Sequence, residues 1–134
     1  MKELDLGTKL PNGARVFNAT PHPVTFWKSD WANPVVVQSD GVIDAIPSEQ
    51  VVDSGEWDAR NFGASIQFVH TRFISIEKGR ELAKAAKAAG CVVVGSIIAA
   101  QAYPGLVCAM IPAPGYERVA PAEKRMNPDK FTVY

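Results

Sequence analysis

The run Ala88-Ala89-Gly90-Cys91-Val92-Val93-Val94-Gly95-Ser96 decides the fold class of this chain. Gly90 is typical of the residue that follows a helix, and the residues before it predict a helix over 76–89, with Ser75 as its N-cap. The valines predict a strand that is apolar on both faces and therefore buried. Gly95 and Ser96 then lead into a short second helix, which we predict over residues 97–103.

The rest of the chain supplies strands on both sides of this run. Buried or half-buried strands are predicted at residues 65–74 and 106–111, so that strands and helices alternate from 65 to 111. Four short strands precede them, at 15–18, 24–27, 35–38 and 42–46, the last two joined by a hairpin turn at Ser39-Asp40-Gly41. We therefore expect an α+β fold, in which an N-terminal antiparallel β-meander joins a mixed sheet that is covered by one main helix and a short second helix.

The length of 134 residues predicts a single domain over 1–134. Residues 1–14 predict a loose lead-in that ends at the turn Pro11-Asn12-Gly13. Residues 47–63 show no clear periodicity and predict a long loop. The proline-rich segment 112–134 is interpreted as a C-terminal arm, whose last residues form either an edge strand or an arm onto a partner.

The charges exclude some classes of partner. Fourteen basic residues balance fourteen acidic ones, so the formal net charge is zero, which argues against binding to a nucleic acid polymer. A net charge near zero gives little protection from self-association and fits a homo-oligomer. We find neither a signal peptide nor an apolar segment continuous enough to span a bilayer, and so expect a cytoplasmic protein without a membrane partner.

Neither metal chemistry nor catalysis has a signature in the sequence. Cys91 and Cys108 lie in apolar runs and are predicted to be buried, reduced thiols. The histidines, cysteines and carboxylates lack the spacing of metal ligands, so no metal and no other cofactor is expected. A hydrolase elbow is absent, and the match of Ser75 and Lys78 to Ser-x-x-Lys lacks its companion motifs. We therefore assign no catalytic residue.

The segment Asn18-Ala19-Thr20-Pro21-His22-Pro23-Val24 is interpreted as a rigid polar corner between two strands. Each proline fixes its own φ and biases the residue before it, Thr20 or His22, toward extended geometry. Rigid polar corners are good positions for a site, so both residues are candidates for polar contacts with a ligand. Alternatively, His22 orders the corner through a hydrogen bond, or acts as a general base or acid.

Other candidate residues point to an anionic ligand. Guanidinium groups match phosphate oxygens, which makes Arg72, Arg118 and Arg125 candidate phosphate ligands. Tyr103 or Phe131 could stack on a base. Ser96 is either a simple N-cap or a contact to phosphate at the turn after the buried strand. Together these residues predict a site for a small phosphorylated nucleotide; the alternative is that they are surface cations and core aromatic residues.

The corner also carries a resemblance to a known family. Asn18, Thr20, Pro21, His22 and Val24 resemble the Asn-Leu-Thr-Pro-His-x-Val/Ile motif of a family of small phage and prophage proteins, with Ala19 in place of leucine. The run 94–99 and the tail around Arg125 and 127–128 are similar to that family in outline. The Thoeris anti-defence sponges are placed among or near these proteins.

The sponges are phage proteins that bind cyclic ADP-ribose isomers without cleaving them. The resemblance implies a phage-encoded binding protein in the host cytoplasm that sequesters such a signal, with Arg125 as a phosphate ligand at a subunit interface. The segment 47–63 departs from the shortest members of the family. Two alternatives stay open, namely an enzyme that cleaves the nucleotide by means of His22, and a structural or assembly protein of the virion without a ligand.

Overall fold

The computed structural model describes residues 6–63 and 65–134, and the elements that follow are those of this part of the chain. Two α-helices are present, α1 (Glu77–Ala88) and α2 (Ile97–Ala102), together with short 3₁₀ turns at Gly55–Trp57, Ala59–Asn61 and Pro121–Glu123. The strands are β1 (Thr8–Lys9), β2 (Arg15–Asn18), β3 (Val24–Phe26), β4 (Val35–Val37), β5 (Ala45–Val52), β6 (Phe68–Ser75), β7 (Cys91–Gly95), β8 (Cys108–Pro112) and β9 (Met126–Thr132).

Seven of these strands form one mixed sheet in the order β1-β2-β7-β8-β9-β3-β4, and β5 pairs only with β6. Strands β2, β7 and β8 run parallel to one another, and β9 runs antiparallel to β8 and parallel to β3. The expected α+β fold with a mixed sheet, one main helix and a short second helix is confirmed. The meander expected for the N-terminal half takes the form of two antiparallel pairs, β1–β2 and β3–β4, which lie at opposite ends of this sheet.

The two faces of the sheet bury different kinds of side chain. Because successive strand residues point to opposite faces, Val16 and Phe17 enter different clusters. Val16 packs with residues of β3, β4 and β7 on one face of the sheet. Phe17 packs on the other face against α1 and α2, whose buried residues are mostly alanines. Small helical side chains let both helices lie close to the sheet.

Tyr103 joins the two helices to the ribbon of β5 and β6. Its ring is buried, its hydroxyl donates a hydrogen bond to the Asp44 carbonyl oxygen at 2.5 Å, and the Ile76 N–H donates to the same hydroxyl at 3.0 Å. The expected N-cap Ser75 instead ends β6 and accepts a hydrogen bond from the Arg80 guanidinium. The first turn of α1 is therefore capped from the far end of α2, and Ser75 is not the cap.

Gly79 is explained by the same tyrosine. Gly79 is buried in the first turns of α1, where its helical backbone needs no positive φ. A Cβ at this position would overlap the hydroxyl and ring of Tyr103. The glycine therefore makes room for a ring.

Several expected elements differ in the structure. Residues 39–44 form no hairpin; instead the Asp40 and Ile43 N–H groups bond to the carbonyl oxygens of Asn18 and Ala19, at the end of β2. Residues 45–52, expected as the end of one strand and the start of a loop, form the long strand β5. The expected lead-in contains β1, and its residues 1–5 lie outside the described part of the chain. The C-terminal segment supplies β9, which lies inside the sheet between β8 and β3 and is not an edge strand.

Substitution Gly79→Ala tests the packing of Tyr103. In an exposed helix this change stabilises by about 1 kcal/mol, but here the added methyl group meets a buried ring, and overpacking of this kind costs about 1–3 kcal/mol. We expect urea denaturation to show a loss of stability for Gly79→Ala and a change within about 0.5 kcal/mol for the exposed control Lys84→Ala. A gain in stability for Gly79→Ala would contradict this packing.

Candidate functional site

The polar corner is built around the side chain of Asn18, which is fully buried. Its Nδ2 donates to the carbonyl oxygens of His22 at 2.8 Å and Val37 at 3.1 Å. Its Oδ1 accepts from the Thr20 N–H at 3.0 Å and lies 2.6 Å from the Thr20 hydroxyl. The amide thus has a partner for both donors and for its oxygen, which is the condition for burying it at low cost.

Thr20 and His22 are therefore part of the framework of the corner. The Thr20 hydroxyl lies between Asn18 Oδ1 and the His22 carbonyl oxygen, 2.9 Å from the latter, and the Thr20 carbonyl accepts from Ser39 Oγ at 2.6 Å. His22 contributes its carbonyl oxygen, while the residue itself is exposed. Most polar groups of the corner are therefore satisfied internally.

The other predicted site residues lie in separate parts of the molecule. Ser96 is the N-cap of α2, where its hydroxyl accepts from the Ala99 N–H at 3.0 Å. Tyr103 is buried, so it cannot stack on a ligand, and Phe131 packs against the core residue Phe26. Arg72 is exposed on β6 and Arg118 is exposed in the segment before β9.

Arg125 has a different environment from the other two arginines. Its guanidinium carbon lies 5.1 Å from the ring centroids of both Trp27 and Tyr116, and these rings meet edge to face with centroids 5.9 Å apart. A cation over aromatic rings at this distance is attracted by the ring electrons, which helps to hold the guanidinium in place. No hydrogen bond or ion pair joins this guanidinium to any residue in the described part of the chain.

The two rings are themselves held by the backbone. The Trp27 N–H donates to the Met126 carbonyl oxygen, and its indole Nε1 donates to the Trp31 carbonyl oxygen, both at 3.1 Å. The buried residue Ala113 donates its N–H to the Arg125 carbonyl at 2.8 Å and accepts from the Tyr116 N–H at 2.9 Å. These hydrogen bonds therefore hold the segments that carry the arginine and its two rings in place before a ligand binds.

Arg125 lines an open cleft of about 530 Å³ at the end of the sheet. Two cations, Lys124 and Arg125, and one acid, Glu123, line the cleft together with Tyr116. A second cavity of about 320 Å³ adjoins it and shares Thr25, Ala122 and Lys124 as walls. The remaining lining residues of the cleft are Thr25, Pro34, Val36, Val119 and Ala122.

The cations around the cleft are not equally available. Lys28 follows Trp27 and pairs with Asp129, with Nζ and Oδ2 3.0 Å apart, and this hydrogen bond raises the pKa of Lys28. A hydrogen bond from Asn12, followed in importance by that from Lys28, lowers the pKa of Asp129, so the pair persists down to acid pH. Lys124 Nζ donates to the Glu117 carbonyl oxygen at 3.1 Å, and no carboxylate of the described residues forms an ion pair with it. Lys124 and Arg125 are therefore the cations left for an anion in the cleft.

The remaining chemistry of the chain is limited. In the described part of the chain, neither cysteine forms a disulfide. Cys91 is buried, and its Sγ lies 3.4 Å from the Leu6 carbonyl oxygen, whereas Cys108 is half-buried, and this burial raises the pKa of the Cys108 thiol. Among residues 6–63 and 65–134, no group of three or more His, Cys, Asp or Glu side chains is placed to hold a metal ion. In the same part of the chain, no helix is long and apolar enough to cross a membrane.

The structure thus brings one of the eight predicted site residues, Arg125, to a cleft. The predicted convergence of Arg72, Arg118 and Arg125 does not occur within one chain, because the first two do not line it. Sequence reasoning missed Trp27, whose only local signal is an aromatic residue at the end of a short strand. Its contact with Arg125 joins residues 98 positions apart, which no local pattern reveals.

Comparison with known proteins yields no relative, since no protein-family model, no curated protein and no solved structure matches this chain. The site must therefore be interpreted from its own geometry.

Substitution of Asn18 tests the framework of the corner. Asn18→Ala removes the partner of the Thr20 N–H and of the Val37 carbonyl oxygen, whereas the His22 carbonyl oxygen keeps the Thr20 hydroxyl. A buried group that is left unpaired costs about 1–3 kcal/mol. We expect urea denaturation to show a loss of about 2–4 kcal/mol, below the sum because water and small shifts compensate in part. The exposed Asn33→Ala is the control and should change stability by less than about 0.5 kcal/mol. Equal stabilities of the two variants would contradict the structural role of Asn18.

Proposed function

We propose that this chain is a binding protein that captures a small phosphorylated nucleotide in the cleft beside Arg125 and holds it without cleaving it. The observation that carries the proposal is the Arg125 guanidinium, whose carbon lies 5.1 Å from the ring centroids of both Trp27 and Tyr116 and which is bonded to no described residue. A cation that is held in place by rings, yet keeps its donors free, is suited to bind a phosphate with two parallel hydrogen bonds.

The surroundings of Arg125 suit the remaining parts of a nucleotide. Lys124 offers a second positive charge for a diphosphate, and the Tyr116 ring with Val36 and Val119 offers an apolar surface for a base or ribose. The volume of about 530 Å³ falls within the range of small-molecule sites, about 300–1,000 Å³. Sequestration uses only these contacts and requires no acid or base in the cleft.

The ligand class that we favour is the cyclic ADP-ribose type. Its support is the resemblance of Asn18, Thr20, Pro21, His22 and Val24 to the phage family motif, together with the presence of Arg125 at the cleft. On this proposal the protein is phage-encoded and acts in the cytoplasm of the infected cell. The alternative of a cleaving enzyme based on His22 gains no support from the cleft, because His22 is not among its lining residues.

The proposal is tested by titrating the protein with cyclic ADP-ribose isomers in a calorimeter. We expect wild-type protein to bind at least one isomer, and Arg125→Gln to weaken binding by about 10- to 100-fold, the worth of one or two charge-assisted hydrogen bonds. Arg125→Lys should also bind more weakly, since an ammonium group loses both the stacking and the bidentate geometry.

Two matched controls and one product analysis make the result specific. Arg72→Gln and Arg118→Gln remove the same charge outside the cleft and should bind like wild type. Ligand that is released by heating should be recovered intact, since ring-opened product would indicate catalysis. Equal affinities of Arg125→Gln and wild type, or no binding of any isomer or of ADP-ribose, would refute the proposed site.

A further inference from the structure

The ribbon is formed by β5, β6 and the described part of their connection, residues 45–63 and 65–75, and it packs against the rest of the molecule near its base. Ala45, Phe73 and Ser75 are half-buried there, while most residues farther out are exposed. The two strands pair with each other over eight residues and with no other strand in the described part of the chain. An isolated two-stranded ribbon is at best marginally stable in water, so a ribbon of this length calls for a further contact.

Exposed apolar side chains concentrate on the ribbon. Of the thirteen large hydrophobic residues that are exposed in the described part of the chain, seven lie between residues 46 and 74, which is less than a quarter of the sequence. A cluster of this kind marks an interaction surface, whereas single exposed residues do not. The seven are Ile46, Val51, Trp57, Phe62, Ile66, Val69 and Ile74, and among them the pair of Val51 and Val69 lies on the face opposite to that of Ile46 and Ile74.

Along one face of the ribbon, the order of apolar and polar residue pairs is the same from the base as from the tip. Residues that are paired across the strands point to the same face, and every second pair shares that face. From base to tip this face carries an apolar pair, two polar pairs and a second apolar pair: Ile46 with Ile74, Ser48 with Arg72, Gln50 with His70, and Val52 with Phe68. The two apolar pairs are about 20 Å apart, at about 3.4 Å per residue.

The tip end of this face holds a cavity. It has a volume of about 220 Å³ and is lined mainly by Val52, Trp57 and Phe68, with Val69 and His70. The Trp57 and Phe68 ring centroids lie 5.0 Å apart, and Phe62 packs on Phe68 at 5.4 Å. An apolar recess beside an exposed tryptophan can accept an aliphatic side chain.

We propose that the ribbon is a self-association arm, and that its occupant is the ribbon of a second copy of this chain, stacked face to face and antiparallel. The two-fold axis lies between the two faces, at their midpoint and perpendicular to the strands. It places Ile46 and Ile74 of each copy on the Val52, Trp57 and Phe68 cavity of the other. The apolar-polar-polar-apolar order is unchanged by this axis, which is the property that a two-fold interface requires.

The polar side chains of this face meet at the centre of the arrangement. There the Arg72 guanidinium of one copy can donate hydrogen bonds to the Gln50 side-chain oxygen of the other. Glu49 lies on the opposite face and takes no part. Because the formal net charge of the chain is zero, the two copies have no overall repulsion to overcome.

The arrangement is tested by complementation between two variants of the full chain. Ile46→Asp puts a carboxylate into the cavity of the second copy, and Trp57→Lys puts an ammonium group at the cavity itself. The proposed dimer has two equivalent contacts, so a dimer of either variant alone has both of them damaged. A mixed pair has one wild-type contact and one contact in which Asp and Lys lie together. By light scattering coupled to size-exclusion chromatography, we expect wild-type protein to be dimeric, each variant to be monomeric, and their equimolar mixture to recover dimers.

A control variant outside the ribbon shows whether the effect is specific to the proposed interface. Val133→Asp alters an exposed apolar residue outside the ribbon and should remain dimeric, and circular dichroism should show every variant folded. Monomeric wild-type protein at its highest attainable concentration, or dimers of either single variant, would overturn the proposal. A mixture that stays monomeric would overturn the antiparallel register. None of these outcomes depends on Arg125 or on a nucleotide, so the proposal stands or falls apart from the proposed function.

Discussion

The buried amide of Asn18 is the interaction on which the rest of the structure depends. Strand β2 pairs with β1 and β7, yet the Asn18 side chain reaches the carbonyl oxygen of Val37 in β4, at the other end of the sheet. Its backbone N–H meanwhile donates to the Asp40 carboxylate at 2.8 Å. The sheet must curl for these contacts to form at once, and unpaired burial of the amide would cost more than any one of them returns. The curl encloses the inner cluster of apolar side chains and sets where β3 begins.

The corner also positions the cleft, because only a few residues separate the two along the chain. Thr25, in β3, lines the cleft, and Trp27, just after β3, supports Arg125. On the other side, Ala113 fixes Tyr116 and Arg125 by backbone hydrogen bonds. The Asn-x-Thr-Pro-His motif therefore serves the proposed site indirectly, since its polar groups are used inside the corner while the strand that it orients carries the support of the cation.

Local sequence predicts the elements whose stabilising contacts are local. The valines of β7, the Ser96 cap and the Gly90 terminus each carry their own signal, and they lie close to where we predicted them. The length of β5 is not predicted, because Pro47, Glu49 and Gln50 interrupt any apolar alternation and a strand that is exposed on both faces needs none. Its partner β6 lies close to the strand predicted at 65–74. The sequence predicts Ser75 as the cap of α1 because its hydroxyl is the nearest one along the chain. The hydroxyl that accepts the Ile76 N–H instead belongs to Tyr103, 27 residues after Ile76. For the same reason the sequence singled out Arg125 but not its partner Trp27.

The central claim is that Arg125 is the cation that holds the ligand, and it is tested most directly by NMR of the arginine side chains. The chain has six arginines, and the Nε–H signal of Arg125 should be displaced by the ring currents of Trp27 and Tyr116. On titration with a cyclic ADP-ribose isomer, the account predicts that this signal moves to saturation while the signals of Arg72 and Arg118 stay in place. Movement of either of those signals with Arg125 unchanged, or no movement of Arg125 while the ligand binds, would contradict it.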